Sequence, residues 1–451
     1  MHAASDGGLP KAQFLPALLS ILLGVFLGTL DTAIANTALP AIAASLHCTE
    51  SASVWIVNAY QLAVVATLFP FAGLGETYGP RRVFIFGLLF FTVASLGCVL
   101  AGTLGTLAFF RALQGIGSGA VMSVNIALIK SIYPSARLGR GVGLNALVVG
   151  LGFAAGPSVA SLVLSWVSWT WLFGINLPLG ALAVAFAWRS LPRGVQGNAP
   201  FDRAAAVFSA AAFGSLIFVF ISWGQRSSGS VWLPALLAFF VCGAGLLWRQ
   251  RGQANPMFPI DLLRRPLFAL SVLTAYAAFA AQGLAFVSLP FYFESTLHRN
   301  PVDTGFLMTA WPVVVAAAAP VAGRLSDKHH PGLLGGIGLS ALFVGALLLA
   351  QVAPGAPAWQ IVVCMGICGA GFGFFQSPNL RALMTSAPAH RSSGASGMIG
   401  MVRLFGQTSG AALVALCLGI WGLPGTGVAL YLAALCGFIG AVASFSRLHV
   451  R

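Results

Sequence analysis

The sequence predicts an all-α polytopic membrane protein with two pseudo-symmetric six-helix bundles and two inserted helices. Of its 451 residues, 58% are hydrophobic and 7% are charged, whereas soluble domains carry about 25% charged residues. Apolar stretches of about 18 residues or more, each long enough to cross a bilayer as a helix, recur along the whole chain. A third observation is an internal repeat that relates the first six and the last six of these stretches.

Fourteen stretches are predicted to span the membrane. They cover residues 14–40, 53–73, 83–101, 104–129, 141–165, 169–188, 204–224, 231–248, 267–293, 304–323, 332–352, 358–380, 393–421 and 427–446. If the two stretches within 204–248 were re-entrant, the count would be twelve with both termini oriented as before. The predicted organisation is a cytoplasmic tail (1–12), a six-span bundle (13–190), a linker with spans 7 and 8 (191–250), an interfacial linker (251–266) and a second six-span bundle (267–451).

The basic residues follow one side of the predicted membrane. The formal net charge is +14, and nineteen of the 23 lysines and arginines fall at span ends on the same side as the N-terminus. This positive-inside pattern predicts a bacterial inner-membrane protein with both termini in the cytoplasm. It also argues against a nucleic-acid partner, because the charge tracks the membrane boundary and not a surface patch. The first apolar run is too long for a signal peptide, so it is predicted to remain as span 1.

Two charged residues are predicted to lie within spans 1 and 4. Asp31 lies well inside span 1, and Arg111 lies several residues into span 4. A charge at such depth is costly and must face protein or water, so it marks a functional site by default. Asp31 is therefore a candidate functional residue, and Asn36 lies near one turn further along the same helix. The alternative is a purely structural hydrogen bond between Asp31 and Arg111.

Span 5 is rich in glycine. The stretch 139–161 carries six glycines before Pro157. At about 100° per residue, Gly152 and Gly156 fall on one stripe, and Gly143 and Gly150 fall on a second stripe roughly opposite. Two smooth stripes predict a helix packed closely against two neighbours. Pro157 removes a backbone donor, which predicts a kink deep in the membrane.

The internal repeat appears when the sequence is shifted by 254 residues without a gap. The shift places Gly115, Asn125, Gly143, Gly152 and Gly156 on Gly369, Asn379, Gly397, Gly406 and Gly410. Spans 1–6 and 9–14 are therefore predicted to be duplicated halves in parallel orientation, with spans 7 and 8 inserted between them. In transporters built this way, the substrate site lies near the midplane between the halves.

Four motifs in order resemble those of the major facilitator superfamily and, within it, of the fourteen-helix drug:proton antiporters. They are Asp31-Thr32 with Asn36 and Leu39-Pro40 in span 1, Leu74, Glu76, Gly79, Arg81 and Arg82 in loop 2–3, Arg111, Gln114, Gly115 and Gly117 in span 4, and Gly143, Gly152 and Gly156-Pro157 in span 5. The chain departs from the family at four places, namely Ala72, Glu76, Ala160-Ser161 and Thr170. The resemblance covers nearly the whole chain.

The resemblance implies proton-coupled efflux of lipophilic, often cationic, compounds by alternating access. Asp31 would carry the proton and Arg111 would tune it, while the loop 2–3 and span 5 motifs would govern conformational change. The residues expected to line the substrate cavity are Asn36, Tyr60, Gln61, Gln114, Gln282, Phe375, Gln376 and Arg403. The proton gradient would supply the energy, so no cofactor and no metal are expected, and Cys364 and Cys368 are interpreted as packing residues.

Two other functions remain open for the same fold. One is an exporter of anionic or lipid-like substrates, because few acidic residues face the cavity and Arg111 and Arg403 could line it. The other is a proton-independent solute facilitator or importer. An enzyme is disfavoured, since no span holds paired carboxylates or a His/Cys cluster. The expected partners are a small lipophilic substrate, protons and membrane lipids. A periplasmic adaptor with an outer-membrane channel stays open, and a monomer is expected.

Overall fold

Helices make up all of the regular secondary structure in the part of the chain that the computed structural model describes. The described residues are 9–134, 138–192, 202–224, 228–250, 260–326, 328–387 and 392–449. The first helices are α1 (Lys11–Ser45), α2 (Glu50–Ser53), α3 (Trp55–Tyr78), α4 (Pro80–Val99), α5 (Leu104–Ile132), α6 (Leu138–Trp166), α7 (Trp171–Gly174) and α8 (Asn176–Ser190). They are followed by α9 (Arg203–Gly224), α10 (Gly229–Gln250) and α11 (Ile260–Leu263). The last are α12 (Pro266–Phe291), α13 (Pro301–Leu325), α14 (Pro331–Ala350), α15 (Ala358–Ser386), α16 (Ser392–Trp421) and α17 (Gly425–Ser446).

Thirteen of the described helices are long and apolar enough to cross a membrane, with α2 counted together with α3 and α7 with α8. The described apolar stretch of α9, Arg203–Val219, is shorter. Each predicted span coincides with a helix, which confirms the prediction of an all-α polytopic membrane protein. The predicted end of span 1 at residue 40 is wrong, because α1 continues through Pro40 to Ser45. Membrane helices tolerate an internal proline where neighbouring helices and side chains satisfy the freed backbone groups.

The same five helix pairs pack together in each half of the chain. In the first half, α1 packs on α6 and α8, α3 on α5, and α4 on α5 and α8. In the second half, α12 packs on α16 and α17, α13 on α15, and α14 on α15 and α17. This correspondence is what a parallel duplication predicts. We call α1–α8 the N-terminal bundle and α12–α17 the C-terminal bundle.

One close helix crossing recurs in both bundles. A Cβ atom on Gly117 of α5 would lie 2.7 Å from the carbonyl oxygen of Gly87 in α4. Gly371 of α15 stands in the same relation to Gly338 of α14, at 2.5 Å. No side chain fits at either position, so the backbones approach closely. Such close packing is a main source of helix association in lipid, where the hydrophobic effect contributes little between helices.

The glycines of α6 contact α1 of the same bundle. A Cβ atom on Gly152 would collide with Thr29, and one on Gly156 would collide with Ala33. The first predicted stripe of small residues is therefore a helix contact. Thr29 and Ala33 each lie two residues from Asp31, so α6 rests on the turns of α1 that carry this carboxylate.

The opposite side of α6 meets α13 of the C-terminal bundle, but not through the predicted stripe. A Cβ atom on Gly150 would have no neighbour within 4 Å, so the prediction of close packing is wrong there. The contact instead lies nearer the end of α6, where Gly305 of α13 fits against Pro157 and Ser161. The reason is that α13 approaches α6 towards its C-terminal half. The surroundings of Gly143 lie outside the described residues.

The two bundles are joined at the membrane face where α1 ends, which we call the far face. Four hydrogen bonds connect them there: from Ser51 Oγ to the Ala415 carbonyl (2.9 Å), between Ser158 and Thr309 (2.8 Å), from Ser161 Oγ to the Pro301 carbonyl (3.2 Å) and from Thr37 Oγ1 to Met308 Sδ (3.9 Å). The conformation is therefore closed on the far face.

The inserted helices attach at the seam between the bundles. Helix α9 packs against α3 of the N-terminal bundle and α16 of the C-terminal bundle, and α10 packs against α9. The Phe213 ring of α9 lies 5.7 Å from the ring of Phe69 in α3. Asp202 and Arg249 form an exposed salt bridge of 2.8 Å between the two inserted helices. The hydrogen bond from Arg249 holds the pKa of Asp202 below its ordinary value.

We expect Gly156→Ala to destabilise the protein by about 1–3 kcal/mol, because its methyl group would overpack the α1–α6 contact. The matched change Gly150→Ala adds the same group to the same helix where no neighbour lies within 4 Å. It should be neutral or slightly stabilising, by up to about 1 kcal/mol. Denaturant unfolding in detergent micelles measures both free energies. Equal effects of the two variants would contradict the assigned contact.

Candidate functional site

Asp31 lies inside the N-terminal bundle with 1% of its surface exposed. Its Oδ2 atom forms an ion pair with Nη1 of Arg111. Its Oδ1 atom accepts hydrogen bonds from Gln114 Nε2 at 2.9 Å and from Asn176 Nδ2 at 2.8 Å. Gln114 Nε2 also donates to Ser95 Oγ at 2.8 Å. Helices α4, α5 and α8 therefore build a polar cluster around one carboxylate of α1.

Arg111 is equally buried, with 1% of its surface exposed, and has several partners besides the ion pair. Its Nε atom donates to the carbonyl oxygen of Ile56 at 3.1 Å. Its Nη1 atom also donates to Gln114 Oε1 at 2.5 Å. Two aromatic rings flank the guanidinium carbon, Tyr60 with its centroid at 4.3 Å and Phe173 at 5.5 Å. Such rings attract a cation through their quadrupole.

These partners determine what the pair can do chemically. Removing one member of a buried ion pair usually leaves an uncompensated charge, which costs about 3–5 kcal/mol. If Asp31 is protonated, however, Arg111 keeps a backbone carbonyl, an amide oxygen and two ring faces. These contacts of Arg111 do not depend on the charge of Asp31. A purely structural contact between Asp31 and Arg111 would have the same geometry. The role of Asp31 as a proton carrier therefore stays a prediction.

A narrow cleft separates the two bundles at mid-depth. The N-terminal bundle contributes Thr32, Asn36, Gln61 and Phe153, and the C-terminal bundle contributes Gln282, Gly283, Phe286, Val287 and Gln407. Gln407 Nε2 donates to Gln282 Oε1 at 2.9 Å. The cavity between these residues measures about 10 Å³, which holds about one water molecule and is far below the range of about 300–1,000 Å³ for small-molecule pockets. The cleft thus has the lining of a binding site but is nearly closed in this conformation.

Two polar side chains of the cleft wall are incompletely satisfied. The buried oxygens Asn36 Oδ1 and Gln61 Oε1 have no hydrogen-bond partner among the described residues. A buried polar atom without a partner costs free energy, so these atoms mark positions that a bound polar molecule can satisfy. Asp31 is one residue from Thr32 but points into the N-terminal bundle, so it lies behind the wall of the cleft.

The structure brings three predicted cavity residues together in the cleft, namely Asn36, Gln61 and Gln282. Arg403 lies beside the same space, with its guanidinium carbon 5.8 Å from the centroid of the Phe153 ring. Two other predicted cavity residues, Tyr60 and Gln114, belong to the cluster around Asp31 and Arg111.

Two further predicted cavity residues lie on α15. Phe375 is buried inside the C-terminal bundle, with ring centroids 6.2 Å from Phe279 and 5.6 Å from Phe372. Gln376 is partly buried on the same helix. Neither residue is among those that line the cleft in this conformation. Their contact with substrate stays a prediction.

The loop 2–3 motif connects α3 to α4 at the membrane face that carries the N-terminus, opposite the far face. Gly79 has a φ of 91°, a left-handed conformation that favours glycine. Arg81 Nη2 donates to the carbonyl oxygen of Trp188 at 2.5 Å, near the end of α8. Free carbonyls and the helix dipole attract a cation at such an end. Glu76 and Arg82 are exposed, and Leu74 packs against the core of the bundle.

Sequence reasoning did not select several residues of the site. Asn176 and Ser95 complete the cluster at Asp31, whereas Phe153, Phe286 and Gln407 line the cleft. A polar residue within an apolar span weakly indicates a buried polar cluster, and Asn176, Ser95 and Gln407 are residues of this kind. An aromatic residue in an apolar span gives no signal, because its direction depends on helix packing.

Two duplicated bundles around a polar cleft at mid-depth define a secondary transporter. The chain belongs to the Major Facilitator Superfamily, whose profile matches residues 21–411. This confirms the resemblance at the level of the superfamily. It also confirms that the protein is a multi-pass membrane transporter and not an enzyme.

Three relatives match this chain over most of their length. The chain is 47% identical over 451 residues to the uncharacterized transporter YebQ of Escherichia coli (strain K12), covering 99% of this chain and 98% of YebQ. It is 28% identical to the riboflavin transporter RibZ of Clostridioides difficile (strain 630), covering 88% and 86%. It is 29% identical to the multidrug resistance protein Stp of Mycobacterium tuberculosis (strain CDC 1551 / Oshkosh), covering 90% and 76%.

A solved structure shares the fold. A POT family transporter in complex with a thioalcohol-conjugated peptide matches with a TM-score of 0.72, covering 97% of this chain and 95% of that one. The sequence identity is 14%, so the likeness concerns the fold alone.

We expect Arg111→Gln to destabilise the protein by about 3–5 kcal/mol, because it leaves the Asp31 charge buried and unpaired. Asp31→Asn should cost less, because Arg111 keeps the Ile56 carbonyl, the Gln114 oxygen and two ring faces. The double variant should cost less than the sum of the two, since it leaves no unpaired charge. Denaturant unfolding in detergent micelles measures this cycle. Asp202→Asn, which removes the exposed pair with Arg249, serves as the control and should change stability little. Additive costs would show that Asp31 and Arg111 do not interact.

Proposed function

We propose that the protein is a proton-coupled efflux antiporter of the fourteen-helix drug:proton kind, which exports lipophilic compounds from the bacterial cytoplasm by alternating access. The observation that carries the proposal is the buried Asp31–Arg111 pair, which lies behind the wall of the cleft and whose carboxylate belongs to α1, the helix that packs on α6. A facilitator has no need for an ionisable group at this position.

The position of Asp31 offers a route from proton occupancy to the gate. Thr29 and Ala33, on either side of Asp31, contact Gly152 and Gly156 of α6. Further along α6, Pro157 and Ser161 contact Gly305 at the far-face closure. A shift of α1 that follows the loss of the Asp31 charge would therefore move α6 as well. The close glycine contacts leave little space to absorb the shift.

The transport cycle follows from two states of the carboxylate. With the far face open, Asp31 takes a proton and its attraction to Arg111 weakens. With the opposite face open, Asp31 releases the proton and the ion pair forms again. Each protonation state favours one facing state, and the substrate binds the two states differently. The proton gradient is the energy source, so the cycle requires no cofactor.

The charge distribution supports an orientation with the far face outside the cell. Most lysines and arginines lie at the membrane face that carries the N-terminus, and the positive-inside rule favours the cytoplasm for such a face. The conformation with a closed far face is then closed to the outside. The names of two relatives support efflux, since Stp is a multidrug resistance protein and another, of Streptomyces glaucescens, is a tetracenomycin C resistance and export protein. We propose that the unit of transport is a monomer.

The proposal is tested in proteoliposomes loaded with ethidium, rhodamine 123 or riboflavin, with and without an imposed pH gradient. The wild-type protein should move at least one of these compounds faster with the gradient than without it. Asp31→Asn should lose the gradient-dependent part, because it cannot exchange a proton, and Asp202→Asn should keep it. Gradient-driven transport at the wild-type rate by Asp31→Asn would refute the assigned role of Asp31. Gradient-independent flux by the wild-type protein would favour a facilitator.

A further inference from the structure

We infer that Arg403 is a binding site for an anionic group of the substrate, so that the cleft selects amphipathic compounds with an acidic substituent on an aromatic body. The inference rests on the proposed function and names the substrate class of the same cleft. It reverses the charge that the resemblance to drug:proton antiporters implies.

Arg403 lies near the middle of α16 at the boundary of the cleft. Its guanidinium carbon is 5.8 Å from the centroid of the Phe153 ring, which belongs to the opposite bundle and lines the cleft. One helical turn further on, Gln407 lines the cleft on the same face of α16. The cation is therefore next to the space that a substrate would occupy.

The Arg403 guanidinium has no hydrogen bond and no ion pair with any described residue, and it lies over the ring of Phe153. Arg403 is partly buried, whereas Arg111 and Arg447 are fully buried and have polar partners. Arg111 has Asp31. Arg447, although fully buried, donates to Asn379 Oδ1 at 2.7 Å, to Ser271 Oγ at 3.1 Å and to groups of Ser444.

The sequence leaves no carboxylate for Arg403. Of the nine acidic residues, Asp31 is the one deep in a span, and Arg111 engages it. The others lie at span ends or in connecting segments, at Asp6, Glu50, Glu76, Asp202, Asp261, Glu294, Asp303 and Asp327. A charge at mid-depth is retained in membrane proteins where it serves a substrate or an ion path. A substrate oxyanion is the group that would pair with this cation.

The rest of the cleft indicates the body of the substrate. Phe153 and Phe286 offer ring faces, and the orphan oxygens of Asn36 and Gln61 can accept hydrogen bonds. A cationic substrate would find no carboxylate among the residues that line the cleft, because both oxygens of Asp31 are engaged behind its wall. An aromatic acid with polar substituents matches this lining better than a lipophilic cation.

Two xanthene dyes of similar shape and opposite charge test the inference. Fluorescein is an anion at neutral pH, and rhodamine 123 is a cation. Fluorescence anisotropy with purified protein in nanodiscs measures binding of each dye without any gradient. The wild-type protein should bind fluorescein more tightly than rhodamine 123. Arg403→Gln should weaken fluorescein binding by about tenfold or more, as expected for loss of a charge-assisted hydrogen bond. Arg403→Lys, which keeps the charge, should weaken it less.

Two controls separate binding from folding. Arg140→Gln removes an exposed arginine of α6 outside the cleft and should leave both affinities unchanged. Thermal unfolding shows whether Arg403 is merely structural. Arg403→Gln should unfold at the wild-type temperature or above it, and fluorescein should raise that temperature for the wild-type protein but not for Arg403→Gln.

The inference is overturned if wild-type protein does not bind fluorescein, if Arg403→Gln binds it as well as wild type, or if rhodamine 123 is preferred. It is also overturned if Arg403→Gln unfolds at a lower temperature and loses dye binding only to the extent that it loses folded protein. Because these measurements need no gradient, they are independent of the proton coupling. If the protein binds fluorescein through Arg403 but its transport does not depend on the pH gradient, the antiport proposal is refuted. The anion site at Arg403 would still stand in that case.

Discussion

The cost of placing charge inside a membrane governs the arrangement of this protein. Asp31 and Arg111 are both almost fully buried, and each is stable there because the other is present. Gln114, Asn176 and Ser95 extend the cluster, so four helices of the N-terminal bundle converge on one carboxylate. The C-terminal bundle has no such pair among its described residues. It holds Arg447 with neutral oxygens instead, so the two duplicated bundles differ most in their buried charge.

Close backbone contacts connect this pair to the closure of the far face. Gly152 and Gly156 let the short side chains of Thr29 and Ala33 in α1 rest directly on α6, and Gly305 brings α13 close to α6 at Pro157. In the cycle that we propose, these contacts carry a displacement from α1 to α13, since a closely packed contact has few ways to repack.

The cleft and the buried Asp31–Arg111 pair are separate groups of residues. Asn36, Gln61, Gln282 and Gln407 supply uncharged polar groups at mid-depth, and Arg403 adds a cation at the edge. Asp31 stays behind the wall, one residue from the cleft. In the antiport cycle that we propose, proton occupancy of the pair alters the conformation while the substrate meets a different set of groups. In that cycle, substrate selectivity depends on the lining of the cleft, and energy coupling depends on the pair.

The sequence by itself predicted an all-α membrane protein and singled out Asp31 and Arg111, which the structure places as a buried pair. Apolar length, glycine spacing and a charge in an apolar run are local properties, so they can be read without the fold. Only the tertiary structure decided which way each side chain faces. Tyr60 and Gln114 turn towards Asp31 and not into the cleft, and Gly150 meets open space. Direction around a helix axis is set by the neighbours that pack on it, and those contacts join residues far apart in the chain.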